Sequence, residues 1–123
     1  MEKRMLNSIY GITATNRIRK DYLFKLGFNI NSKGFTYWII ALSIYYRNKR
    51  NIKMMNLYKE IAECSNKTTS QVERAMRTSS ENAKEKIKEL YQYDGKLNNR
   101  TILNLLTNFE MKDNIDNHIP RID

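Results

Sequence analysis

Apolar residues recur along this chain at intervals of three and four, and almost nowhere at intervals of two. The first clear run is NRIRKDYLFKL, where Asn16 can cap and Ile18, Tyr22, Leu23 and Leu26 share one helical face. Gly27 can end that helix, and NINSKG reads as a loop. From about Phe35 to Arg47 the chain is apolar nearly all round, through Phe35, Trp38, Ile39, Ile40, Ala41, Leu42 and Tyr45. That is the pattern of a helix at the buried centre of a small bundle.

A basic run, RNKRNIK, follows, and then about Met55 to Cys64 turns Leu57, Ile61 and Ala62 inward. After SNKTT, the residues Val72, Met76, Ser79, Ala83, Ile87 and Leu90 keep the 3–4 spacing and predict one long helix. YDGKLNN is a turn, and RTILNLLTNFEM predicts a last amphipathic helix. No segment alternates as a strand, so the expected fold class is all-α, a compact bundle of about five to six helices.

The segment Tyr58 to Arg77 predicts two helices joined by a tight turn, a helix-turn-helix. Asn66 falls where the turn needs a residue that accepts a left-handed backbone. Residues 16–112 then form the helix-turn-helix domain, 1–15 an N-terminal arm or linker, and 113–123 a flexible C-terminal tail holding the lone Pro120.

The second helix of the motif presents Gln71, Arg74 and Arg77 on one face, with Val72 and Met76 turned away. Its start fits a capping box, with the Ser70 hydroxyl on the Glu73 amide and the Glu73 carboxylate on the Ser70 amide. Glu73 equally suits a contact to a cytosine amino group, and the residues leave both roles open. Arg77 can pair with Glu81 one turn on. Arg74 has Ser70 and Thr78 at its four-residue offsets, so no acid claims it, and a free guanidinium there suits bidentate contact with guanine.

Charge moves the argument in the same direction. The net charge of +9 is concentrated in residues 1–53, while 54–112 carry +2 and the tail −2. A basic half beside a near-neutral half predicts a surface for a polyanion, nucleic acid or anionic lipid. A length of 123 residues, 41% hydrophobic and 28% charged, fits one globular domain with a modest core rather than a disordered chain.

Other chemistries find little support. The single Cys64 forms no internal disulfide and fits a reducing compartment, and it reads as a small packed residue of the first motif helix. His118 stands alone, without the clustered Cys and His of a metal site. No Gly-rich phosphate loop, signal-type leader or span of the roughly 20 apolar residues needed to cross a bilayer appears. The expectation is a cytoplasmic protein, nucleoid-associated when bound, that is not an enzyme, uses no cofactor and no metal, and does not meet a membrane.

Three stretches carry a resemblance to a known family. LYKEIAECSNKTTSQVERAMR resembles a pattern close to LYPxxAxxxNTTxSRVERAIR in the C-terminal DNA-binding effector domain of the stage-zero sporulation master regulator family. LGFNINSKGFTYWIIAL resembles its IGVPxHxKGYxYLxxAI, with Gly27, Lys33, Gly34 and Tyr37 in step, and YDGKLNNRTILNLL resembles its GKPTNSEFIAMIA. The likeness covers about residues 18–110. It implies a six-helix, all-α domain that binds double-stranded DNA and regulates transcription. By position, Arg74 matches an arginine on guanine and Glu73 a glutamate near a base. Thr69 and Ser70 match phosphate-side positions, and Lys96 and Lys33 match backbone contacts. Arg77, Thr78 and Lys67 flank them.

The chain also departs from the family. Gln71 stands where the family has its other base-reading arginine, and Gln prefers an adenine edge. No receiver domain fits in the first fifteen residues, so the expectation is either an excised effector domain or a stand-alone protein, and the divergence from the family favours the latter. The stretch after the recognition helix is shorter than the family's, which there meets the RNA polymerase sigma subunit. That points to an unregulated repressor or competitor that occupies sites rather than to an activator; the expected state on DNA is a monomer or DNA-assisted homodimer. Two other readings stay open: a DNA-binding accessory protein of a plasmid or phage, and a protein-interaction module that has lost DNA binding.

Overall fold

The computed structural model describes residues 14–116, with side chains described from 17 to 108. Within that range the chain is all-helical: α1 (Ala14–Leu26), α2 (Lys33–Arg47), α3 (Met54–Ser65), α4 (Thr69–Ser79), a 3-10 turn (Glu81–Ala83), α5 (Lys84–Tyr91) and α6 (Asn99–Asp116). Residues 1–13 and 117–123, with His118 and Pro120 among them, lie outside the described residues. The last helix runs beyond the end expected near Met111.

The helix ends follow from local chemistry. Gly27 adopts φ +105° and closes α1 with bonds from its own amide to Phe24 O and from Phe28 N to Leu23 O, both 3.0 Å. This paired pattern needs a left-handed residue, which glycine supplies without a Cβ penalty. Asn66 does the same for α3 at φ 57°, ψ 46°, and the amide of Lys67 reaches back to Ala62 O at 3.0 Å. The turn of the helix-turn-helix therefore forms where the asparagine was expected to form it.

Helix α2 is the centre of the bundle, as its all-round apolar pattern predicts. Trp38, Ala41, Ile44 and Tyr45 are essentially fully enclosed. Phe28 meets Trp38 edge to face, with ring centroids 5.4 Å apart. The Trp38 indole nitrogen donates to Met76 O at 2.8 Å, which ties α2 to the middle of α4. Trp38 and most of the tyrosines near it are thus core residues.

The expected long helix through Leu90 is broken after Ser79. In a continuous helix the amide of Ala83 would donate to Ser79 O. That carbonyl is instead taken by the Asn29 amide from the α1–α2 loop at 3.1 Å, and Ala83 N turns to Ser80 O at 3.0 Å. A 3-10 turn results. The 3–4 spacing survives the break for Val72, Met76, Ser79, Ala83 and Ile87, all buried, but not for Leu90, which is 40% exposed.

Contact between α2 and α4 is closest at Gly34. A Cβ on Gly34 would lie 2.0 Å from Ala75 O and 2.7 Å from the Ser79 Cβ, so only a hydrogen fits between the two backbones. Ser32 reinforces this crossing with a 3.0 Å bond from its hydroxyl to Ser79 Oγ.

Candidate nucleic-acid interface

The candidate interface is the outer face of α4 and the segments tied to its two sides. Val72 and Met76 are fully buried beneath it and Ala75 is partly buried. Ser70, Gln71, Arg74, Arg77 and Thr78 are exposed, while Thr69, Lys67 and Glu73 are half-buried. The face predicted from the 3–4 spacing is therefore the face that meets solvent.

The cap differs from the one read in the sequence. Thr68, not Ser70, is the N-cap, with the extended backbone φ −89°, ψ 161°. Its hydroxyl accepts from Gln71 N at 3.1 Å, and the Gln71 side-chain oxygen accepts from Thr68 N at 2.9 Å. Two overlapping S/T-x-x-E/Q patterns compete here. The turn decides between them, because Lys67 N is still committed to α3 and Thr68 is the first residue free to extend. Ser70 already lies inside the helix. Thr68→Ala should cost about 0.5–2 kcal/mol of stability in urea unfolding, and Ser70→Ala close to nothing.

This correction redistributes the side chains. Gln71 is engaged in the cap rather than standing free. Glu73, released from any cap role, pairs with Arg77 at 3.3 Å. The expected Arg77–Glu81 pair does not form because the helix breaks between them, and Glu81 pairs instead with Lys84 at 3.6 Å. Arg74 projects from the same face with no hydrogen bond or ion pair among the described residues.

Two lysines flank α4. Lys33 is exposed at the start of α2, immediately before the glycine packed on Ala75. Lys96 is exposed in the α5–α6 loop. That loop leads into Asn98, whose side chain caps α6 by accepting from Thr101 N at 2.8 Å, and then into Asn99. The Asn99 amide donates to Glu73 O at 3.3 Å and to the Tyr58 hydroxyl at 3.1 Å, which binds the start of α6 to both helices of the motif. Burial pushes the Tyr58 hydroxyl above its ordinary pKa, so it stays protonated and keeps its place in this network.

Sequence reasoning missed Asn99 and Thr68. The first acts through a contact 26 residues away and has no local signature. The second was visible as an S/T-x-x-Q pattern two residues out of register with its rival.

Cys64 is half-buried and packed against the core. Among the described residues no group of His, Cys, Asp and Glu could hold a metal ion, and no helix is long and apolar enough to cross a membrane.

The family model described as sporulation initiation factor Spo0A, C terminal, matches residues 19–115. No curated protein and no solved structure gives a significant match.

Proposed function

The chain belongs to the Spo0A C-terminal family, a family of DNA-binding regulatory domains and not of enzymes, and from that premise we propose that it reads duplex DNA by sequence, with α4 in the major groove. One observation carries the reading. On the exposed face of α4, Gln71 is held by the cap and Glu73 by Arg77, and Arg74 alone of the three base-contact candidates is left with both hydrogen-bonding edges open. A planar guanidinium in that state fits the paired acceptors of guanine.

The neighbours take graded roles. Gln71 reaches an adenine edge only by giving up its bond to Thr68, so it contributes less discrimination than an unconstrained residue. Arg77 gives up an exposed ion pair worth about 0.2–0.5 kcal/mol, a small cost beside a charge-assisted bond to phosphate. Thr69, Ser70, Thr78 and Lys67 border the face and suit phosphate oxygens, as do Lys33 and Lys96 on its two flanks. Such a protein works where DNA is, in the cytoplasm.

Selection of bound sequences from a random duplex pool tests the reading. A short site with a fixed guanine should be enriched, and a pool left unchanged after several rounds would sink it. On the selected site, Lys33→Ala and Lys96→Ala should each weaken cognate and scrambled duplexes alike. Each should also make the plot of log affinity against log salt shallower by about 1.

A further inference from the structure

We infer that the basic run between α2 and α3 supplies a second phosphate-binding surface: Lys53 and Arg100, with Asn51 and Asn56, line a concavity between the starts of α3 and α6 that takes a backbone phosphate of the bound duplex. The inference rests on the proposal that the domain binds DNA, and extends it to residues that neither α4 nor the turn provides.

The cations of RNKRNIK are not equivalent. Arg47 is committed to Glu60 at 2.9 Å, and Arg50 folds back onto Asn108 at 3.2 Å. Lys53 is exposed and holds no ion pair or hydrogen bond among the described residues. Arg100 reaches the same concavity from the far end of the chain, also exposed and also without such a partner. The remaining lining is Asn51, Asn56 and Ile52, with no acid among them. Two positive side chains at one concavity repel each other unless an anion lies between them, and the two side-chain amides add neutral donors of the kind phosphate oxygens accept.

The place of this surface indicates the duplex as the source of the phosphate. Arg100 follows Asn99, whose amide holds Glu73 O one residue before Arg74, and Lys53 directly precedes the first helix of the motif. One wall of the concavity therefore stands next to the residue that ties α6 to the proposed reading helix. A backbone with one charge per about 1.7 Å of duplex axis brings phosphates to whatever cations border the groove.

The test is the salt dependence of binding by Lys53→Gln/Arg100→Gln, on the selected duplex and on a scrambled one, by fluorescence anisotropy. Thermal melting should match the parent, because neither side chain has a partner to lose. Affinity should fall about tenfold at low salt on both duplexes, and the log–log slope should become shallower by about 1, as for the loss of one phosphate contact. Lys53→Gln alone should give a smaller change in the same direction. The preference for the selected site, and its loss in Arg74→Ala, should persist. An unchanged slope, or a loss confined to the selected duplex, overturns the second surface while leaving the reading helix intact. A parent protein that ignores both duplexes overturns the two proposals together.

Discussion

Gly34→Ala is expected to destabilise the domain by about 3 kcal/mol, near the upper end for inserting one methyl into a packed site. The new methyl would sit 2.0 Å from Ala75 O and 2.7 Å from Ala75 C, both backbone atoms of α4 that no rotamer change can move aside. Helices α2 and α4 would have to part. Parting them strains the 2.8 Å bond from Trp38 to Met76 O and the Ser32–Ser79 bond, and opens the core around Val72 and Met76. Thermal unfolding followed by circular dichroism should show a melting temperature lower by more than about 10 °C. An unchanged midpoint would mean that the two backbones do not meet in solution as closely as described. Gly95→Ala is the control, because the atoms a Cβ would meet there belong to the Tyr93 ring, a side chain that can rotate away.

Arg74→Ala should leave that stability untouched and cost about 1–3 kcal/mol of binding to the selected duplex, with preference relaxed at one base pair. The side chain is exposed and unpaired among the described residues, so truncation leaves neither a cavity nor an orphaned partner. Arg74→Lys should recover little, because an ammonium presents no planar fork to two acceptors. Competition gel shifts with the selected site and its single-base variants measure both quantities. Equal behaviour of Arg74→Ala and the parent across all variants would remove Arg74 as the base reader.

The contrast between these two residues shows what the chain discloses about itself. Arg74 was legible because the relevant facts are local: no acid stands one turn away on either side, and the apolar spacing sets the face. Helix existence was legible for the same reason, as were the left-handed stops at Gly27 and Asn66. Gly34 drew notice only through a family pattern, since its neighbour Ala75 is distant in sequence. The break after Ser79 was hidden too. It arises from a carbonyl captured by Asn29, while the apolar spacing runs on across the interruption as though the helix were whole.

The interruption also sets how much text the domain can take in. Eleven residues in α4, at 1.5 Å each, make a rod of about 16 Å, the length of roughly five base-pair steps. A five-letter word recurs by chance about once per thousand positions, so a genome of millions offers thousands of copies. If the DNA reading holds, one copy of this protein cannot pick out an address by itself. Where several copies read neighbouring words side by side, occupancy would climb steeply rather than gradually with protein concentration.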